Sequence, residues 1–235
     1  MAIFVTGDIH GPKDVTRLSD VFFPKGQKLT KKDFVIVLGD FGLVWYWEQS
    51  KRELYWLEWL SSLPFTTLFL DGNHENFYRL LKYPKKSFKG GKASQIHDTV
   101  FYLRRGEVFT IDGKMIFVMG GAMSTDKEDR IEGESWWPQE EPNYKDWDNA
   151  AKNLARHGNK IDIVLTHTAP QSIAKRMSRY SHCYIESARI EDPVAIALER
   201  VKKGIKFKYW CYGHLHCNWT SGKFTSLYDN IKKLK

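Results

Sequence analysis

Five short apolar segments, each followed at once by polar residues, constrain the fold of this 235-residue chain most strongly. They cover residues 2–6, 34–38, 67–70, 161–165 and 209–212. Continuous apolar runs of this length, bounded by turn-forming residues, are typical of strands that are buried on both faces. We therefore predict a core of five buried strands, with a polar cluster at the carboxyl end of each one.

Helical patterns and one hairpin signal lie between these segments. Residues 50–63 carry apolar side chains at helical spacing, and a second helix is predicted after Asp192, with Pro193 at its first position and Gly204 beyond its end. Asp112-Gly113 is a two-residue turn signal between predicted strands at residues 101–111 and 114–119. The alternation of strands and helices indicates an α/β fold, and the hairpin indicates that its sheet is mixed.

Domain organisation follows from what separates these elements. The chain contains no linker, repeat or low-complexity tract, and its length suits one domain. We therefore predict a single domain over residues 1–235. One long polar excursion, at about residues 120–142, is predicted to form a lid or insertion that overhangs the site, because loops of this length are often functional.

The polar clusters contain side chains that bind divalent metal ions. Open α/β sheets bind ligands just beyond the carboxyl ends of their strands, so these side chains can converge. The candidate metal ligands are Asp8, His10, Asp40, Asn73, His167, His214 and His216. Seven oxygen and nitrogen ligands without a thiolate exceed the needs of one tetrahedral zinc and suit two ions, with Mn favoured and Fe, Zn or Ni as alternatives. The two carboxylates neutralise only part of the charge of two divalent ions, so about two positive charges remain. A phosphate dianion could balance them.

The same motifs resemble those of the calcineurin-like metallophosphoesterases. All five blocks of that family's pattern occur in order: Gly7-Asp8-x-His10, Gly39-Asp40, Gly72-Asn73-His74-Glu75, His167, and Gly213-His214-x-His216. The resemblance spans nearly the whole chain. It implies two mixed β-sheets packed as a sandwich and flanked by helices, in four αββα layers. It also implies that Asp8, His10 and His216 hold one metal, that Asn73, His167 and His214 hold the other, that Asp40 bridges them, and that His74 is the catalytic acid.

The expected reaction is hydrolysis of a phosphomonoester or phosphodiester, in which a hydroxide that bridges the metals attacks phosphorus in line. The substrate is expected to be small or nucleotide-like, because Trp45, Trp47 and the pair Trp136-Trp137 could stack on a base. The chain departs from the protein phosphatases of the family after Asp40, where their second Asp and their Arg are missing. The residues that could replace this phosphate-binding Arg are Arg104, Arg105, Lys127 and Arg130.

Two other functions stay open at this stage. The formal charge of +8 and the basic stretch at residues 79–92 favour anionic partners, so a metal-dependent nuclease that acts on single-stranded nucleic acid is one alternative. A non-catalytic metal-binding scaffold is another, although every ligand position is intact. The basic stretch itself is interpreted as solvated charge on loops.

Composition also bears on where the chain works. No apolar run is long enough for a membrane-spanning helix, and the first residues do not form a secretory signal. Cys183, Cys211 and Cys217 include no C-x-x-C pair and predict neither a disulfide framework nor a zinc knuckle. We therefore expect a cytoplasmic protein without membrane partners. The sequence does not define the oligomeric state.

Overall fold

The computed structural model describes residues 1–179 and 192–234, which form two mixed β-sheets. In chain order the strands are β1 (Ile3–Thr6), β2 (Phe34–Leu38), β3 (Thr66–Leu70), β4 (Lys86–Phe88), β5 (Gly91–His97), β6 (Val100–Leu103), β7 (Glu107–Ile111), β8 (Lys114–Met119), β9 (Lys160–Thr166), β10 (Lys206–Tyr212), β11 (Trp219–Ser221), β12 (Phe224–Ser226) and β13 (Lys232–Lys233). One sheet has the order β13-β1-β2-β3-β6-β5-β4, and the other has the order β11-β12-β10-β9-β8-β7.

The described helices flank these sheets. They are α1 (Lys51–Ser62), α2 (Phe77–Leu80), α3 (Tyr144–Arg156), α4 (Gln171–Met177) and α5 (Pro193–Gly204), together with short 3-10 turns. Ser50 caps α1 by accepting a hydrogen bond from the Glu53 amide, and Asp192 caps α5 in the same way from Val194. Both caps agree with the helix starts predicted from the sequence. Among the described residues, no helix is long and apolar enough to cross a bilayer.

Three apolar clusters define four layers. Alternate residues of the central strands, such as Val5 on β1 and Leu165 on β9, meet between the sheets. The opposite face of the first sheet packs on α1 through Leu57 and Leu60. The opposite face of the second sheet packs on α3, α4 and α5, where Leu154 and Leu198 are buried. The predicted αββα sandwich is therefore confirmed.

One predicted strand was wrong. Residues 101–111 were expected to form a single arm of a hairpin, but they divide into β6 in the first sheet and β7 in the second. The residues between these strands include Arg105, whose guanidinium forms a buried ion pair with Asp71 at 2.5 Å. This contact joins residues that are far apart in the chain, so local alternation of apolar residues could not indicate it. The hairpin between β7 and β8 at Asp112-Gly113 is confirmed.

Among the cysteines, Cys211 is a buried free thiol. Cys183 and His182 lie outside the described residues. The division of the chain into one domain with a lid stays a prediction.

Candidate metal centre

The predicted ligands meet because parallel neighbouring strands end at the same edge of each sheet. β1, β2 and β3 pair in parallel in one sheet, and β9 and β10 pair in parallel in the other. The residues that follow their carboxyl ends therefore face one another across the gap between the sheets. Of these residues, Asp8 and His167 have no exposed surface, and Asp40 is only 1% exposed.

One half of the centre contains four side chains. A ligand atom from each of Asp8, His10, Asp40 and His216 lies within 4.8 Å of the other three. His216 Nε2 is 3.1 Å from Asp8 Oδ2, and His10 Nε2 is 3.4 Å from Asp40 Oδ2. Two carboxylates and two imidazoles at this spacing form a candidate site for one divalent cation.

The other half is built around His167. Its Nδ1 lies 2.8 Å from the Leu38 carbonyl oxygen, which can only accept, so Nδ1 donates and Nε2 faces the centre. Nε2 lies 3.1 Å from Asn73 Oδ1 and 3.3 Å from Asp40 Oδ1. The ring of His214 is 4.9 Å from that of His167. Asn73 and His167 thus lie beside Asp40, and the ring of His214 adjoins that of His167.

Asp40 connects the two halves. Its Oδ2 faces His10, whereas its Oδ1 faces His167 and accepts a hydrogen bond from the His74 backbone amide at 2.9 Å. The separate directions of these two oxygens are the geometry that a carboxylate needs to contact two cations. Asp8 is fixed by the His214 amide, which donates to both of its oxygens.

The electrostatics fit a site for cations. Burial opposes ionisation of Asp40, but the neighbouring imidazoles of His167 and His74 hold its pKa well below the usual range. Burial likewise disfavours a charged His167, yet the Asp40 carboxylate raises the pKa of that imidazole to about 10. The buried carboxylates of Asp8 and Asp40 thus favour a positive charge on His167. A metal ion could supply that positive charge in place of the proton. Burial, aided by the charge on His167, lowers the pKa of His214 to about 3, so His214 is neutral, as a metal ligand must be.

Glycines allow the ligands to approach one another. A Cβ atom on Gly72 would collide with the carboxylate of Asp40, and one on Gly213 would collide with the carboxylate of Asp8. Each glycine belongs to a different motif from the ligand that it accommodates. The glycine positions in these motifs therefore provide space for metal ligands as well as turns.

Gly213→Ala is expected to displace Asp8 and to reduce the metal content of the purified protein to one ion or fewer per chain. Elemental analysis after dialysis measures this loss. Gly204→Ala is the matched control, because a Cβ there meets no atom within 4 Å. Equal metal content in the two variants would show that Gly213 does not control the position of Asp8.

Comparison with known proteins decides the family. The profile of the calcineurin-like phosphoesterases matches residues 1–218. The chain belongs to this family. Among solved structures, the sulfate thiohydrolase SoxB of Thermus thermophilus, in complex with glycerol, is similar at 13% identity and a TM-score of 0.40. That match covers 97% of this chain but only 51% of SoxB, so the chain spans about half the length of that relative. No curated protein matches the chain in sequence.

His74 lies at the rim of the candidate metal centre. Its Nδ1 is 3.3 Å from Nη1 of Arg130, and its ring is 5.9 Å from that of His10. Arginine can only donate, so Nδ1 accepts and a neutral His74 carries its proton on Nε2. Burial lowers the pKa of His74, and Arg130 adds to this effect while Asp40 opposes it.

Segment 120–142 contacts the candidate metal centre directly. Ser124 accepts a hydrogen bond from Asn73 Nδ2 at 3.1 Å, and its own amide and hydroxyl donate to the buried Glu140. This chain of bonds directs the other amide atom of Asn73, Oδ1, toward His167. Sequence reasoning missed Ser124 and Glu140, because no local motif marks residues that support a ligand from a distant segment.

The predicted substrate residues lie in different environments. Arg130 is next to His74 and is held by two hydrogen bonds to Asp126, at 2.8 and 2.7 Å. Lys127 is exposed, and Trp136 is half-buried. Arg104 and Arg105 are buried away from the centre, with exposures of 4% and 8%. The structure thus brings Arg130 to the site and leaves both of these arginines outside it.

Proposed function

We propose that this chain is a two-metal-dependent phosphoesterase that hydrolyses a phosphomonoester or a phosphodiester. The observation that carries this proposal is the carboxylate of Asp40, whose two oxygens face different ligand groups. In this proposal Asp8, His10 and His216 hold one cation, and Asn73, His167 and His214 hold the other. Asp40 would contact both cations through its two oxygens.

Two bound cations, with Mn²⁺ favoured and Fe, Zn or Ni as alternatives, would lower the pKa of a water molecule and neutralise charge on the phosphate. The residues of the chain supply the remaining steps. His74, with its proton on Nε2, protonates the departing oxygen of the substrate. Arg130, which Asp126 and the Ser135 carbonyl oxygen orient, takes the place of the phosphate-binding arginine that the sequence lacks.

The substrate is proposed to be small or nucleotide-like. A cavity of about 230 Å³ adjoins His10 and His74, and its walls include Trp45 and Tyr46. Aromatic walls beside the acid suit a planar leaving group. Trp137, in contrast, is fully buried and packs edge-on against Trp45, with ring centroids 5.2 Å apart, so it cannot stack on a substrate. Lys127 and Trp136 are proposed as further substrate contacts from segment 120–142.

The two alternatives are separated by simple comparisons. A nuclease would cleave a long single strand faster than a dinucleotide, and a scaffold would bind metal without turnover on any phosphate ester. The cytoplasmic location expected from the sequence stays a prediction.

Removal of the metals is expected to abolish hydrolysis of an aryl phosphate ester, because the chain supplies no covalent nucleophile in this account. Turnover is measured before chelation, after chelation and dialysis, and after addition of Mn²⁺. Activity should fall to the background rate and return with the metal. Hydrolysis that persists in the chelated protein, with metal content verified as zero, would contradict the proposed function.

A further inference from the structure

A cavity of about 760 Å³ lies between the region of β4 and β5 and the helix α3. None of the seven proposed metal ligands lines it, and neither does His74. Its lining includes Arg105, whose guanidinium forms an ion pair with Asp71. The cavity is therefore separate from the candidate metal centre.

Positive charge dominates the walls of this cavity. Two carboxylates, Glu107 and Asp146, face six cations: Lys85, Lys92, Arg104, Arg105, Lys145 and Arg156. Both carboxylates already accept hydrogen bonds from the protein. Glu107 accepts from the Lys92 amide and from Asn149, each at 3.1 Å, and Asp146 accepts from the Asn143 amide at 3.0 Å.

Most of these cations have no acidic partner. Arg105 pairs with Asp71 and lies 3.5 Å from Asp146. In the part of the chain that the structure describes, the other five form no ion pair with a carboxylate. Five like charges around one cavity repel one another, and a bound anion would relieve that repulsion.

Arg104 makes this a preformed site rather than a patch of mobile lysines. Its side chain is almost fully buried, and its Nε and Nη2 donate to Ser94 Oγ at 2.9 and 2.6 Å. Its Nη2 also donates to the Tyr83 carbonyl oxygen, and the guanidinium stacks over the Tyr102 ring at 4.8 Å. Within residues 1–179 and 192–234, its Nη1 has no hydrogen bond. A fixed guanidinium with an uncommitted donor suits a phosphate oxygen.

The spread of the cations indicates the shape of the ligand. Lys145 and Arg156 both line the cavity from α3 and are eleven residues apart, which corresponds to about 16 Å along a helix. A single phosphate cannot contact both. The wall has no exposed aromatic ring, so contacts to a phosphate backbone, not base stacking, would dominate binding.

We propose that this cavity binds the phosphodiester backbone of a single-stranded nucleic acid, independently of the base sequence. The proposal goes beyond the proposed function and does not depend on it, since no metal ligand contributes. It gives a role to the basic stretch at residues 79–92, which the sequence alone indicated to be solvated surface charge.

The test is binding of a fluorescein-labelled phosphorothioate oligothymidylate, about twelve nucleotides long, to the full-length protein. The triple variant Lys85→Ala/Lys92→Ala/Lys145→Ala should bind about tenfold or more weakly than the wild type. The slope of log affinity against log salt concentration should fall in magnitude by about two, because three phosphate contacts are lost.

The matched control is Lys51→Ala/Lys203→Ala/Lys206→Ala, which removes the same charge from exposed positions outside the cavity. It should keep the wild-type salt slope, and both triple variants should hydrolyse an aryl phosphate at the wild-type rate. Equal weakening by the two triple variants would overturn the proposal, because only net charge would then matter. Binding of inorganic tripolyphosphate without binding of the oligonucleotide would also overturn it.

Discussion

Asp40→Asn is expected to lower the turnover of an aryl phosphate by about 10³-fold, which corresponds to the loss of ~4 kcal/mol of metal-assisted stabilisation. The substitution keeps the size of the side chain but removes the charge that faces His10 and His167. It should also reduce the bound metal from two ions per chain to one or none. Steady-state kinetics and elemental analysis on the same sample measure the two effects.

Asp112→Asn is the matched control for this substitution. Asp112 and Asp40 both have a positive φ, 53° and 45°, which Asn tolerates better than most residues. Asp112 lies in the turn between β7 and β8, away from the centre. The control should keep both metals and full activity. An Asp40→Asn protein with two tightly bound metals would show that Asp40 does not connect the sites.

His74→Asn is expected to slow turnover by about 10²- to 10⁴-fold and to leave the metal content unchanged. His74 touches the centre through its backbone amide, which a substitution of the side chain retains, and its ring points toward Arg130. The loss should be largest for substrates with poor leaving groups, because these depend most on protonation of the departing oxygen. For substrates with very acidic leaving groups, the turnover of the variant should be close to that of the wild type.

His157→Asn provides the comparison for His74→Asn. His157 is the C-terminal cap residue of α3 and contacts no proposed ligand, so its substitution should affect neither turnover nor metal content. If His74→Asn instead strips metal from the protein, His74 is a ligand and the assignment of the acid is wrong. If its effect is the same for good and poor leaving groups, His74 does not donate the proton.

The buried strands could be predicted from the sequence because their signal is local. The segment at residues 34–38 matches β2, and those at residues 2–6 and 67–70 differ from β1 and β3 by one residue. Each has a continuous apolar run and a glycine or polar residue that ends it. The helix caps at Ser50 and Asp192 were predictable for the same reason.

Other parts of the fold depend on contacts between distant residues. The division of residues 101–111 between two sheets depends on Arg105, which binds Asp71 and the carbonyl oxygens of Gln139 and Glu140. No pattern within the segment contains this information.

The start of α3 was predictable in principle, since Asn143 and Asp146 form a capping box.

The residues of the candidate site likewise differ in whether a local sequence signal marks them. Ligands such as Asp8 and His216 could be found because each follows a strand and sits in a short motif. Arg130 was one of several basic residues that could have replaced the missing arginine, and only the structure brings it next to His74. Ser124 has no sequence signal at all, because its role depends on a hydrogen bond to Asn73 across 51 residues.

The central claim is that Asp40 lies between two cation positions. Anomalous X-ray diffraction from crystals of the Mn²⁺-loaded protein tests this claim most directly. The account predicts two peaks, roughly 3.5–4 Å apart, with Asp40 Oδ2 beside the peak near His10 and Oδ1 beside the peak near His167. A single peak, or two peaks that do not share Asp40, would contradict it.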